Sequence, residues 1–235
     1  MCTVIVRVPE QPGASVRLLA VRDEDPTRSW DRLGPWWPDE LPGVVGVRDA
    51  RAGGAWLAAD PARGRLAVVL NRADVLDDAP ASRGRIVLDA VAGRPLPDPP
   101  RTHGFNLVTV TADGVEVTMW DGASVRTIAL APGVHMIAHD DVDDAQTPRI
   151  VHWQGVFASQ AVDAGADWRE EWLATLARSA ELTPTDDRAI IRDNRPHGYP
   201  TLSLLVCTAE VGPDGADVRY AELAEPGRWN SIHPA

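Results

Sequence analysis

Apolar residues recur along this chain in short runs broken by Gly, Pro, Asn and Asp, a spacing that belongs to strands more than to long helices. Residues 2–8 (Cys-Thr-Val-Ile-Val-Arg-Val) are rich in β-branched side chains and predict a strand. Pro9, Pro12 and Gly13 mark a turn, and residues 16–22 form the second arm of a hairpin. Pairing Val8 with Arg17 would set Cys2 opposite Asp23; a slip of one residue would change the face. Residues 25–52 hold four prolines with Trp30, Trp36 and Trp37 among them, and predict an irregular loop anchored by aromatics. Strands follow at 55–58 and 64–70, the second apolar throughout 66–70 and ending at Asn71. Ser82 caps a helix predicted over 82–91, and a proline-rich linker runs over 93–100. The runs 105–110, 115–120 and 125–130 predict a meander, with Asp113-Gly114 and Asp121-Gly122 at its turns. A strand at 134–139, a helix at 168–180 and a hairpin of 202–209 with 218–223 complete the set. In the helix, Trp172, Leu173, Leu176 and Ala177 fall at helical spacing. Roughly nine or ten strands and two or three helices, mostly in sequential hairpins, predict an α+β layered sandwich of antiparallel sheets. One domain is expected over residues 1–235.

Composition narrows the functional classes. A formal net charge of -11 disfavours nucleic acid and anionic membrane surfaces as partners. No apolar run approaches the ~18 residues of a membrane-spanning helix, and no basic-then-apolar leader is visible. Two cysteines make no disulfide framework, so a reducing cytoplasmic location is expected. All 23 basic residues are Arg, which removes lysine Schiff bases and the P-loop lysine from consideration.

Cys2 is the first candidate for chemistry. Removal of Met1 by an aminopeptidase would leave one residue supplying both thiol nucleophile and α-amine base. The amine has a reference pKa of about 7.7–8.0, near working pH. Further motifs follow in order: Val21-Arg22-Asp23-Glu24, Gly53-Gly54-Ala55-Trp56-Leu57, Leu70-Asn71-Arg72, Ser82-Arg83-Gly84 and Gly104-Phe105-Asn106-Leu107. Their order and spacing resemble the NRDE family, also called the Transport and Golgi organisation 2 family, over residues 1 to about 135. That family in turn is similar to the cysteine branch of N-terminal-nucleophile hydrolases, which includes bile salt and penicillin V amidases. The resemblance implies an αββα sandwich and hydrolysis of a small amide or other C–N bond. Cys2 matches the nucleophile, Asp23 the aspartate beside it, and Asn71 an oxyanion-hole asparagine. Arg22 would hold Asp23, lower the Cys2 pKa, or form a surface salt bridge. Trp56, Asn106 and His139 are expected on the substrate side, with no metal and no cofactor.

The chain departs from the family pattern at four places. Val21 stands for the first signature Asn, and Ala55 for the usual Thr. His139 ends the segment where a second oxyanion asparagine is usual; its imidazole is a bulkier donor. The 197–203 segment carries Pro200 and lacks the arginine that supports the nucleophile in amidases. The alternative to an enzyme is a carrier of an apolar ligand such as haem or a lipid, classes with which the family has been associated. In that reading Trp30, Trp36 and Trp37 roof a pocket. His135 and His139 with Asp140, Asp141, Asp143 and Asp144 read as a solvated acidic loop more than a zinc site. His103 reads as a surface turn residue and Cys207 as a buried small hydrophobe.

Overall fold

A computed structural model describes residues 2–78, 81–160 and 167–235. It is α+β, with two antiparallel sheets and few helices. β1 (Thr3–Val8), β2 (Val16–Glu24), β10 (Gly133–Ile137), β11 (Leu202–Gly212) and β12 (Gly215–Glu222) make a five-stranded sheet in the order β10-β1-β2-β11-β12. The other sheet runs in chain order through β3 (Trp30–Gly34), β4 (Val45–Asp49), β5 (Ala55–Asp60), β6 (Arg65–Asn71), β7 (Phe105–Thr111), β8 (Gly114–Trp120) and β9 (Val125–Ala129).

Both faces of the smaller sheet are buried, on two different cores. Val4, Val6, Leu18, Ala20, Leu205 and Cys207 join Leu57, Val68, Val108 and Val117 of the larger sheet in one apolar cluster. The intervening residues Ile5, Leu19, Val21 and Val206 join Met136 and the helices α2 (Pro148–Ser159) and α3 (Trp168–Ser179) in a second. α1 (Gly84–Val91) packs against β5, β6 and β7. No helix of the described residues is long and apolar enough to cross a membrane.

Three expectations change. The span 25–52 is not one irregular loop, because β3 and β4 lie within it. Its tryptophans pin it by hydrogen bonds: Trp30 Nε1 donates to the Tyr220 hydroxyl at 3.0 Å and Trp37 Nε1 to the Gly53 carbonyl at 2.9 Å. Trp36 Nε1 donates to the Arg32 carbonyl at 2.7 Å. The α2 helix answers to a signal that was present, Pro148 at its first turn and Ile150, Trp153 and Phe157 at helical spacing. The buried stripe of α3 is Trp168, Trp172, Thr175, Leu176 and Ser179, rotated from the predicted one.

Candidate active site

The site begins with the β1–β2 register. Arg7 pairs with Arg17 and Thr3 with Val21, one residue displaced from the Val8–Arg17 pairing. The apolar pattern leaves this open, because both strands are hydrophobic on both faces. Cys2, just before β1, lies buried against the end of β2. The Asp23 N–H donates to Cys2 Sγ at 3.4 Å, and the thiol donates to the Asp23 carbonyl at 3.5 Å. Burial raises the Cys2 pKa, and the Asp23 carboxylate raises it further. Met1, and with it the expected processing step, lies outside the described residues.

Cys2 lines a cleft of about 200 Å³ together with Arg22, Asp23, Trp56 and Asn71. Its mouth is shaped by a glycine contact. A Cβ on Gly54 would stand 2.5 Å from the Gly84 carbonyl carbon, so β5 and the start of α1 touch backbone to backbone. That contact seats Ser82 and Arg83 in the cleft wall. Ser82 Oγ accepts from the Gly84 N–H at 3.2 Å, and Arg83 Nη1 donates to the Gly104 carbonyl at 2.9 Å. A Cβ on Gly104 would stand 2.6 Å from the Arg72 carbonyl oxygen, so this position too is bound to glycine. Gly54, Gly84 and Gly104 are thus each required for close backbone approach, and Gly53 for its positive φ.

The charges of the cleft are partly paired. Arg28 Nε donates to Asp49 Oδ2 at 2.8 Å, and Arg22 Nη2 lies 3.5 Å from Glu24 Oε2. Arg22 is 2% exposed, with its guanidinium 5.7 Å from the Trp30 ring centroid. His103 stands on the rim, its Nδ1 3.2 Å from Asp74 Oδ2. Burial works against the Asp74 carboxylate, yet the N–H groups of Gly104 and Leu76 hold its pKa below the usual range.

The Asp23 carboxylate is held from the second core. Ser203 Oγ donates to Oδ1 at 2.6 Å and Asn194 Nδ2 to Oδ2 at 3.2 Å. Arg192 braces the clamp: its N–H donates to Ser203 Oγ at 2.8 Å and its Nε to Asn194 Oδ1 at 3.0 Å. A register shift between Ser203 and Leu205 marks a bulge in β11 at this point. Arg149, at the start of α2, is 2% exposed and its Nη2 lies 3.5 Å from His139 Nδ1. Burial and the nearby Arg192 push its pKa down to about 10. Burial, and then Arg149, lower that of His139.

The structure therefore brings Cys2, Arg22, Asp23, Asn71 and Trp56 to one cleft, and places Asn106 and His139 outside its lining. Asn106 is fully buried. Its Nδ2 donates to the Ala138 and Asp140 carbonyls at 3.1 and 2.7 Å, bracing the two sheets together. Extension of the β1–β10 register sets His139 beside Cys2, but its ring goes to Arg149 and Asp140. Sequence reasoning missed Arg83 and His103 as cleft residues, and Ser203, Asn194 and Arg192 as the clamp. Arg83 had a signal in the Ser82-Arg83-Gly84 motif, and Ser203 in the 197–203 segment; His103, Asn194 and Arg192 had none. Among the described residues no three His, Cys, Asp or Glu side chains form a metal-holding group.

A model of the family described as Transport and Golgi organisation 2 matches residues 1–200. The chain belongs to that family. The match reaches past the motif-bearing half to include the Arg192 and Asn194 segment, and stops just short of Ser203. No curated protein matches the chain significantly.

Proposed function

We propose that this Transport and Golgi organisation 2 family chain is a cysteine N-terminal-nucleophile hydrolase acting on a small amide or other C–N bond. The observation that carries the reading is the seating of Cys2 Sγ against the Asp23 backbone, in a cleft that Arg22 and Asn71 also line. The layering supports it as well. α1 on the larger sheet, and α2 with α3 on the smaller, fit an αββα sandwich of the N-terminal-nucleophile type.

Processing of Met1 frees the α-amine of Cys2. The thiol stays protonated at rest, since burial and Asp23 both raise its pKa. Its proton must therefore leave during the attack, and an amine of pKa about 7.7–8.0 is matched to take it. Sulfur then bonds to the substrate carbonyl carbon, and the Asn71 amide donates to the developing oxyanion. Collapse breaks the C–N bond, and the α-ammonium returns its proton to the departing amine. Water attacks the thioester, the amine again serving as base, and the acid leaves with the thiol restored. Asp23, fixed by Ser203 and Asn194, orients the N-terminus. The charged lining favours a small polar substrate over haem or a lipid. Two free cysteines fit a reducing cytoplasmic setting.

The test is the intact mass of the purified protein, before and after iodoacetamide at neutral pH. Loss of Met1 is expected, with alkylation at Cys2 and not at the buried Cys207, at a rate below that of glutathione because the thiol is protonated at rest. Retention of Met1, or alkylation at Cys207 in place of Cys2, overturns the mechanism. In an amide screen Cys2→Ala should keep the fold and lose turnover by at least ~10⁴-fold.

A further inference from the structure

We infer that the cleft recognises a carboxylate on its substrate, beside the bond that reacts with Cys2, and that Arg83 is the residue that reads it. This deepens the hydrolase reading and rests on it for the word substrate.

Two buried polar atoms of cleft-lining side chains have no hydrogen-bond partner among the described residues: Arg22 Nη1 and Trp56 Nε1. Both are N–H donors, and both residues are more than nine-tenths buried. A buried donor without an acceptor costs about 1–3 kcal/mol, more when charged. These two atoms are buried in the cleft wall and not open to it, and the lining also holds the carboxylates of Asp23, Glu24 and Asp49, so the cleft's capacity for an anion rests on Arg83. A carboxylate offers two oxygens and about four lone-pair sites.

The cations of the cleft differ in how far they are neutralised. Arg28 is committed to Asp49, and Arg22 shares Glu24. Arg83 makes no ion pair among the described residues; its one hydrogen bond goes to a neutral carbonyl, that of Gly104. Burial lowers its pKa, and Cys2, Glu24 and Asp74 raise it; Arg83 and Cys2 line the same cleft. The Gly54–Gly84 contact fixes the backbone from which it projects. A planar guanidinium with free N–H groups suits a planar carboxylate in paired geometry. At about 200 Å³ the cleft lies below the range of drug-sized sites, so the substrate is compact.

Iodoacetate and iodoacetamide test this directly. Both alkylate a thiolate by displacing iodide, and they differ only in a carboxylate against a neutral amide of the same shape. The readout is the ratio of their rates at Cys2, divided by the same ratio for glutathione, which cancels changes in thiol reactivity. The normalised ratio should favour iodoacetate by about tenfold or more, the low end of a charge-assisted pair. Arg83→Gln should bring it to about one, and Arg83→Lys should keep part of the preference. A wild-type ratio near one, a preference that survives Arg83→Gln, or a Cys2 that neither reagent reaches overturns the inference. The hydrolase reading fails separately: a preference for iodoacetate with Met1 retained, or without amide turnover, leaves the anion site standing and removes the mechanism.

Discussion

The two sides of the β1–β2 hairpin at its Cys2 end hold their charged groups differently. On the helix side the Asp23 carboxylate itself is locked. Arg192 alone donates to the Asn194 side chain and to the carbonyls of Asp186 and Asp187 at 3.0, 3.0 and 2.9 Å, and Ser203 and Asn194 grip the carboxylate. On the cleft side donors stand unmatched, and Arg83 has only a carbonyl. The Asp23 carboxylate is thus gripped from the helix side, while Arg83 on the cleft side makes no ion pair among the described residues. Buried donors without partners occur on both sides, Arg149 Nε and Trp172 Nε1 among those on the helix side. Satisfied buried networks rigidify.

The sharpest way to break this contrast is on the helix side. Trp172 is fully buried and meets Phe157 and Trp168 edge to face, with ring centroids 5.4 and 5.3 Å away. Trp172→Ala should cost about 3–5 kcal/mol in a urea titration. In the fraction that remains folded, the iodoacetate preference at Cys2 should persist. A loss under about 1 kcal/mol, or a vanished preference, would mean the two sides are not separate.

A change of intermediate size is expected at Gly54. An added methyl meets the Gly84 backbone, and backbone must move. Gly54→Ala should cost about 1–3 kcal/mol by thermal melting. Because Arg83 immediately precedes α1, the same variant should also lower the iodoacetate preference. Unchanged stability together with unchanged preference would remove the glycine contact from the account of the cleft.

The smallest effect is a pH dependence where the chain passes from one side to the other. His135 Nδ1 bonds Asp143 Oδ2 at 2.7 Å and Nε2 meets the Ala131 carbonyl at 2.9 Å. Two acceptors call for both nitrogens protonated, and the bond to Asp143 raises the pKa above the ordinary 6.5. Below about 6.5 the imidazolium is charged in folded and unfolded chain alike, and its contribution is full. As pH rises through the elevated folded value that contribution is lost. The melting temperature of wild type relative to His135→Gln should therefore fall between mildly acidic and alkaline pH. A constant difference would show that the imidazolium adds nothing.

How much of this was legible in the sequence depended on whether information was local. The β1–β2 hairpin and the β7–β9 meander are written in β-branched runs and Asp-Gly turns. The register was not, since β1 and β2 are buried on both faces and alternation is silent there. β3 and β4 were hidden by prolines that sit between the strands and not in them. Asn71 and Cys2 stand out because each flanks the end of an apolar run. Asn106 stands in the Gly104-Phe105-Asn106-Leu107 motif, but nothing local shows that its amide reaches across to Ala138 and Asp140. The clamp on Asp23 comes from residues some 170 to 180 positions later, and only the folded chain reveals it.

That separation has a consequence for synthesis. β11 enters the smaller sheet between β2 and β12, although β1 and β2 are made first and β10 can pair with β1 long before residue 202 emerges. Until then the nascent β2 presents an open edge, a template for wrong partners and a natural client for chaperones. The same delay leaves the Asp23 carboxylate without its grip. Cys2 and Asp23 leave the ribosome almost at once, yet Ser203 closes on the carboxylate only when the last hairpin docks. The fixing of the Asp23 carboxylate is thereby one of the last steps of folding, set by the docking of the final hairpin.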